Sequence, residues 1–225
     1  MNNVLKFKTG PAQNFFFSSD FHLGHSRDWL YQPRGFNSIL EHDEGVIKSI
    51  NDNVAENDVL FYLGDFCLNA TEEQFHKYID AIKCRNIYML YGNHNSPVWP
   101  IYKREVEYKL AAFEDGASRC LFDDGDVEIY PFRYKNIVFC GNYLEIIIGK
   151  QVFVLCHYPI YSFNYQRNNS IMLCGHSHKN CELSNNTKET GRILDTGWDG
   201  FKKPLSYVEI MEIMKDKKPV VVDHH

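Results

Sequence analysis

Two histidines stand two residues apart in the stretch LCGHSHKN, residues 173–180. In an extended segment, residues i and i+2 project to the same side, so His176 and His178 could reach one ion or two neighbouring ions. The pair alone is weak support, because a chain with ten histidines will contain such spacings by chance. A metal site becomes a serious hypothesis only if other ligand-type residues also follow strands.

Four more apolar segments, each typical of a strand, run into residues that can bind a metal: 14–19, 58–64, 85–92 and 151–157. Open α/β sheets place their ligand sites at the carboxyl ends of strands. Taken singly, each polar group is better explained as a turn, a cap or a surface residue. Taken together, they predict a metal site with ligands drawn from the candidates Asp20, His22, Asp65, Asn93, His94, His157, His176 and His178.

The residue types indicate which ions would bind. Carboxylate and amide oxygens together with imidazole nitrogens suit borderline divalent ions, so Mn²⁺ is the first expectation and Fe, Zn or Ni are compatible. Asp65 is the natural bridge, because one carboxylate can join two cations. Two metals about 3.5–4 Å apart can hold a shared hydroxide and clamp a phosphate. Glycines beside Asp65, Asn93 and His176 would let the backbone turn sharply into the site.

The elements that must position these residues change character along the chain. The first half alternates strands and helices, and the second half is rich in adjacent strands. This pattern predicts an α/β fold in which two sheets pack face to face with helices outside, in a single domain over residues 1–225. Predicted helices cover 41–55, 71–83 and 99–113, and the second of them has Thr71 as N-cap and Gln74 at the capping-box position. Further predicted strands cover 126–131, 136–141, 144–149, 171–175 and 191–197. For residues 205–214 the sequence leaves helix and strand open.

Composition excludes several classes of protein. Hydrophobic residues make up 44% of the 225, which suits a packed globular protein. No run resembles a secretory signal or a membrane span, so a soluble cytoplasmic protein with no membrane partner is expected. The net charge of −5 disfavours a dedicated nucleic-acid binder, although a local basic cleft stays compatible. The seven scattered cysteines form no C-x-x-C pair, which argues against a disulfide framework or a structural zinc site.

The order of the motifs carries a resemblance. D-x-H, G-D, G-N-H, a lone histidine and G-H-x-H follow one another from residue 20 to residue 178. This series resembles the calcineurin-like metallophosphoesterase superfamily, and DFHLGH, CHYPIYSF, GHSH and LDTGWDGFKKPLS are similar to a small bacterial and phage branch of it. The resemblance implies a four-layered α/β/β/α sandwich of two mixed sheets flanked by helices. It also implies an enzyme that hydrolyses a phosphodiester or phosphomonoester by attack of a metal-bridging hydroxide.

The resemblance further implies a role for each residue. Two divalent ions would be held: the first by Asp20, His22 and His178, the second by Asn93, His157 and His176, with Asp65 shared by both. His94 would be the catalytic histidine, which does not bind metal and assists the leaving oxygen. That role fits a side chain that can donate a proton near neutral pH.

One position departs from the family pattern. A carboxylate usually follows G-N-H, whereas this chain has Asn95. A neutral amide contributes no charge to stabilise an imidazolium, so a less basic His94 and an acidic shift of the pH–rate profile are expected.

The substrate side is less sharply indicated. His25, Arg34 and Arg167 are candidate contacts to the phosphate of a small phosphorylated substrate; a solvated surface position is at least as plausible for each arginine, and a role supporting the metal ligands is the alternative for His25. Trp198 and Asp199 border the predicted cleft, or Trp198 belongs to the core. Two other functions stay open: a nuclease of the same superfamily, for which a nucleic-acid substrate is possible but not favoured, and a non-catalytic metal-binding scaffold.

Overall fold

The computed structural model describes residues 4–7, 13–68, 70–94, 132–180 and 191–220. Its helices are α1 (Asp28–Tyr31), α2 (Ile39–Asn53), α3 (Glu72–Ala81), α4 (Trp198–Phe201) and α5 (Tyr207–Met214), with a 3₁₀ helix over Gln166–Asn168. Its strands are β1 (Val4–Phe7), β2 (Phe15–Ser18), β3 (Val59–Tyr62), β4 (Asn86–Met89), β5 (Phe132–Tyr134), β6 (Ile137–Phe139), β7 (Tyr143–Ile148), β8 (Gln151–Cys156), β9 (Ile171–Cys174), β10 (Ile193–Asp195) and β11 (Leu205–Ser206).

These strands form two mixed sheets. One has the order β1-β7-β8-β9-β10 and the other β11-β2-β3-β4-β6-β5. In the second sheet β2, β3 and β4 run parallel, and in the first β8, β9 and β10 run parallel. A parallel bridge from Ser19 to Gly197 connects the ends of β2 and β10. The carboxyl ends of the parallel strands of both sheets therefore meet on one side of the molecule.

The space between the two sheets is filled by aromatic and aliphatic side chains. Phe17 and Phe61 stack with their ring centres 5.1 Å apart, and Phe17 lies 5.3 Å from Phe153 of the opposite sheet. Because side chains alternate along a strand, the neighbours Leu60 and Tyr62 point to the outer face. The predicted α/β sandwich of two sheets is confirmed.

Two helices cover the outer face of the six-stranded sheet. Val46, Ile50 and Val54 recur at helical spacing along and just after α2, and they join the same buried cluster as Phe75 and Ile79 of α3. Both helices begin with side-chain caps, because the hydroxyls of Ser38 and Thr71 accept hydrogen bonds from backbone N–H groups three residues on. The capping box predicted at Thr71 and Gln74 is confirmed.

The outer face of the five-stranded sheet packs differently. Val154, Met172 and Ile193 are covered there by Ile160 and Phe163 of the segment that follows β8. Residues 205–214, for which the sequence left helix and strand open, contain both: β11 pairs with β2, and α5 follows from a capping box at Ser206. None of the helices in the described part of the chain has the length and apolarity needed to cross a bilayer.

Most other predicted elements are confirmed with shorter bounds, because the polar ends of each apolar run leave the strand or helix. The helix predicted over 41–55 and the strand predicted over 144–149 keep their lengths but begin two residues and one residue earlier, respectively. The sequence did not indicate β1, β5, α1 or α4, each of which has only three or four residues. The predicted helix 99–113, the predicted strand 126–131 and Asn95 lie outside the described residues.

Candidate metal centre

The loops after β2 and β3 are locked to each other. Beyond the last paired strand residues, His22 N–H donates to the carbonyl of Asp65 at 3.0 Å, and Leu23 N–H donates to that of Phe66 at 2.9 Å. The fully buried Tyr62 hydroxyl donates to the Asp65 carbonyl at 2.8 Å and accepts from Phe21 N–H at 2.9 Å. Consequently the segment carrying Asp20 and His22 has a fixed position relative to Asp65.

The loop after β9 joins the same place from the other sheet. Its His176 N–H lies 3.1 Å from each carboxylate oxygen of Asp20. Gly175 N–H donates to the carbonyl of His157 at 2.9 Å, and Trp198 N–H donates to that of Ser19 at 3.0 Å. Backbone hydrogen bonds thus carry the strand ends of both sheets into one cluster.

An uncommon backbone conformation is concentrated in these loops. Asp20, His22, Asp65, His176 and His178 all have φ between 47° and 69°. Residues other than glycine seldom adopt this left-handed region, and the strain persists only where the surrounding structure imposes it. Such residues cluster at functional sites, so this backbone is arranged to aim side chains inward.

Glycines make room for the carboxylates. Gly64 has φ of 100°, so it provides the sharp turn expected next to Asp65. For Gly92 and Gly175 the reason is space: a Cβ at Gly92 would lie 2.1 Å from Asp65 Oδ1, and one at Gly175 would lie 2.5 Å from Asp20 Oδ2. Side chains at these two positions would displace the acids.

The ligand-type atoms form two overlapping groups. Atoms of Asp20, His22 and His178 lie within 4.8 Å of one another, and so do atoms of Asp20, Asp65 and His157. His22 Nε2 is 3.7 Å from Asp65 Oδ2 and 4.0 Å from Asp20 Oδ1. Asp65 therefore faces residues on both sides of the cluster.

The remaining predicted ligands lie on the far side of Asp65. Asn93 Oδ1 is 2.9 Å from His157 Nε2 and 3.0 Å from His176 Nδ1. His157 Nε2 is also 3.5 Å from Asp65 Oδ2. The structure thus gathers all seven predicted metal ligands in one place, while their binding of metal remains a prediction.

The hydrogen bonds of His157 test whether the cluster suits a cation. Its Nδ1 lies 2.9 Å from the carbonyl of Leu63, so this nitrogen carries the proton and donates. In the neutral ring, the Nε2 lone pair then faces the acceptor oxygens of Asn93 and Asp65. Three acceptor atoms that face one another in this way would be held together by a cation placed between them. Neutral imidazole is also the form of histidine that binds metals.

Burial and neighbouring charges shift the titration of the cluster. Burial raises the pKa of Asp20 to about 6 and lowers the pKa of His22 to about 2, which keeps His22 neutral. Burial also opposes ionisation of Asp65, but the hydrogen bond and charge of a protonated His157 outweigh it and lower the pKa of Asp65 to about 2, and Asp65 in turn raises the pKa of His157. Asp65 is therefore ionised and His22 is unprotonated, which are the forms that a metal ligand requires, and a cation between Asp65 and His157 would take the place of the His157 proton.

His94 lies beside the cluster without joining it. Its backbone N–H donates to Asp65 Oδ1 at 2.8 Å, and its ring centre is 5.7 Å from that of His22. The residue is partly exposed, unlike His22. Its role as a catalytic histidine stays a prediction.

Arg34 requires a correction. Its Nε and Nη2 donate to the two carboxylate oxygens of Asp199 at 2.9 and 2.7 Å, and Nη2 also donates to the carbonyl of Asp20 at 2.9 Å. Its Nη1 donates to the carbonyl of Phe21 at 2.8 Å and to His42 Nε2 at 3.0 Å. A guanidinium has five N–H groups, and all are used here. The predicted phosphate contact is therefore replaced by a supporting role behind the cluster.

The other two predicted substrate contacts differ in position. His25 is buried, with its ring centre 5.7 Å from that of His22 and 5.0 Å from the exposed Trp29. Arg167 is exposed on the 3₁₀ helix. Phosphate contact stays a prediction for both residues.

Asp199 has a larger part than the sequence indicated. Its Oδ2 accepts a hydrogen bond of 2.6 Å from His178 Nδ1, and its carboxylate is held by Arg34. The sequence placed Asp199 near the cleft but contained no sign of these partners. The adjacent Trp198 is buried in the core and does not line the cleft.

A two-sheet α/β sandwich with aspartates, histidines and an asparagine gathered at its strand ends defines a metallophosphoesterase domain. A sequence model of the family described as calcineurin-like phosphoesterase matches residues 14–180, and the chain belongs to that family.

A solved structure shows the same fold. The protein of unknown function AQ665 from Aquifex aeolicus is similar with a TM-score of 0.56 and 17% sequence identity, over 89% of this chain and 99% of that one. At this identity the likeness speaks for the fold alone. No curated protein matches the chain.

Proposed function

We propose that the protein is a dinuclear-metal-dependent phosphoesterase that hydrolyses a small phosphodiester or phosphomonoester. The observation that carries this proposal is the position of Asp65 between two sets of ligand-type atoms. His22 Nε2 lies 3.7 Å from its Oδ2 on one side, and His157 Nε2 lies 3.5 Å from the same oxygen on the other. A carboxylate with imidazoles on both sides suits a pair of neighbouring cations.

Two ions would divide the residues as the family pattern implies. The first position would use Asp20, His22 and His178, the second Asn93, His157 and His176, and Asp65 would serve both. When bound, such ions generate a nucleophile from water at neutral pH and neutralise charge on the phosphate oxygens. The mixed nitrogen and oxygen donors suit Mn²⁺ first, with Fe, Zn and Ni also compatible.

The protein itself would contribute orientation and a proton. The backbone N–H of His94 donates to Asp65 Oδ1 at 2.8 Å, which holds this residue beside the cluster. We infer that its imidazole donates a proton to the leaving oxygen, a common task of histidine in catalysis.

The net charge of the chain and the presence of His94 decide between the proposed function and its two alternatives, a nuclease and a non-catalytic scaffold. A nuclease needs a surface that attracts a polyanion, and this chain has a net charge of −5. A binding scaffold has no use for the complete ligand set together with His94. A small phosphorylated substrate is therefore favoured over both alternatives.

Two chromogenic esters test the proposal. The full chain, stripped of metal and reloaded separately with Mn²⁺, Fe²⁺, Zn²⁺ or Ni²⁺, is assayed with bis(4-nitrophenyl) phosphate and 4-nitrophenyl phosphate. Metal-dependent turnover of either ester is expected, and their ratio separates diesterase from monoesterase. Folded, metal-loaded protein that turns over neither ester would support the scaffold, and faster cleavage of DNA would support the nuclease.

A further inference from the structure

Behind the first position lies a pair of charged side chains that the family pattern does not assign. Asp199 and Arg34 meet through two parallel hydrogen bonds, at 2.9 and 2.7 Å. The Arg34 side chain is 1% exposed and that of Asp199 is 24% exposed. Bidentate pairs of this kind have a fixed geometry and are among the stronger hydrogen-bonded contacts in proteins.

Asp199 acts on one predicted ligand. Its Oδ2 accepts the proton of His178 Nδ1 at 2.6 Å, which leaves the lone pair on His178 Nε2. That Nε2 is directed at the cluster, 3.3 Å from His22 Nε2. The carboxylate thus selects the tautomer and sets the angle of the ring that the first ion would require.

Arg34 acts on the opposite side of the same position. Besides holding Asp199, it donates to the backbone carbonyls of Asp20 and Phe21 at 2.9 and 2.8 Å. Asp20 and His22 have left-handed backbones, with φ of 59° and 53°, so an external contact is needed to hold this loop. One guanidinium therefore restrains ligands that come from two different sheets.

Arg34 is itself held by a chain of hydrogen bonds that reaches helices α2 and α3. Arg34 Nη1 donates to His42 Nε2 at 3.0 Å, so the proton of the neutral His42 ring is on Nδ1, which donates to Asp43 at 2.9 Å. Asp43 also accepts from Gly24 N–H at 3.0 Å and from the Tyr78 hydroxyl at 2.8 Å. Each group in this chain has a defined donor or acceptor role, so Arg34 has little freedom to turn away.

We propose that Asp199 and Arg34 are positioning residues that set the affinity of the first cation position through His178 and the Asp20 loop. This rests on the proposed function, since it requires a cation at that position. Losing the outer partner of a ligating histidine typically lowers metal affinity about 10–100-fold. The second position does not use this pair, because His157 is oriented by the carbonyl of Leu63.

The test is a Mn²⁺ titration of the metal-free full chain, followed by calorimetry and by the electron paramagnetic resonance signal of free Mn²⁺. Asp199→Asn keeps the shape of the side chain but removes its charge. We expect one of two binding steps to weaken about 10–100-fold and the other to stay within about twofold. The control Asp52→Asn removes an exposed carboxylate that pairs only locally with Lys48, and it should change neither step.

Two further measurements exclude a general structural effect. ¹⁵N spectra of the metal-free chain should show His178 protonated at Nδ1 in the parent and mixed between nitrogens in Asp199→Asn. Asp199→Glu, which restores a carboxylate, should recover part of the lost affinity. Unchanged binding in Asp199→Asn, or equal weakening of both steps in a variant that melts like the parent, would overturn the proposal.

The outcome also separates this proposal from the dinuclear function. A parent chain that binds a single ion would contradict the two-metal site, and weaker binding of that ion by Asp199→Asn would still support positioning. A parent chain that binds metal but hydrolyses no ester would count against the enzyme alone. A parent chain that binds no divalent ion would overturn both.

Discussion

The two cation positions proposed here have different support. The first uses the carboxylate of Asp20, and its His178 is backed by a second carboxylate, Asp199. The second has the neutral amide of Asn93, and its His157 is backed by a backbone carbonyl. Asp65 contributes a negative charge to both. Arg34 offsets the charge of Asp199, so the first position exceeds the second by the one carboxylate charge of Asp20, and it should bind a divalent cation more tightly.

Exposure differs in the same direction. Asp20 and His22 of the first position are buried and His178 is half-buried, whereas Asn93 and His176 of the second are exposed and only His157 is buried. Solvent and a substrate phosphate therefore approach the second position more easily. If two ions bind as proposed, the first would be held deeper in the protein and the second would lie at the open side of the cleft.

The largest expected effect removes the element that both positions share. Asp65→Asn should abolish metal binding at both positions together with esterase activity, because only the carboxylate can join two cations. The check is metal content by elemental analysis beside the ester assay. Two ions retained in this variant would count against a bridging Asp65.

His94→Ala should separate chemistry from metal binding. Loss of a positioned acid lowers kcat by about 10²–10⁴-fold. Both binding steps should remain unchanged, since His94 contributes only its backbone N–H to Asp65. Kinetics and Mn²⁺ titration of the same preparation decide this. A parallel loss of metal would make His94 part of the ligand set.

Gly92→Ala should weaken cation binding at both proposed positions, because its added Cβ would displace the Asp65 carboxylate. Its Cβ would lie 2.1 Å from Asp65 Oδ1, so the shared carboxylate must move and affinity for both ions should fall by at least about tenfold. The control is Gly149→Ala in the turn between β7 and β8, where φ is 62°. It should cost about 1 kcal/mol of stability and leave metal binding unchanged. Normal Mn²⁺ binding by Gly92→Ala would show that Asp65 can shift without loss.

The predictable part of the site rests on a simple geometrical rule. Apolar runs mark the strands, and parallel strands of one sheet bring their carboxyl ends to one edge, so the strand pattern alone predicts that Asp20 and Asp65 share that edge. The spacing of the G-H-x-H motif likewise indicates that His176 and His178 act close together. The structure gathers these residues as expected.

The supporting residues could not be predicted in the same way. Arg34 and Asp199 are 165 residues apart in sequence, and both lie in irregular segments or very short helices. Nothing in local composition says which acid an arginine will find. Gly92 is a similar case, because its need for space depends on the approach of a second loop.

The smallest expected effect would make the two positions more alike. Asn93→Asp adds a carboxylate to the second position, where Oδ1 already lies 2.9 Å from His157 Nε2. Charges about 4 Å apart interact by about 4 kcal/mol at an effective dielectric constant of 20, and exposure of this side chain reduces the gain to roughly 1–2 kcal/mol. The second Mn²⁺ should therefore bind about tenfold more tightly, with the first step unchanged. Tightening of the first step instead would mean that the two positions have been assigned in the wrong order.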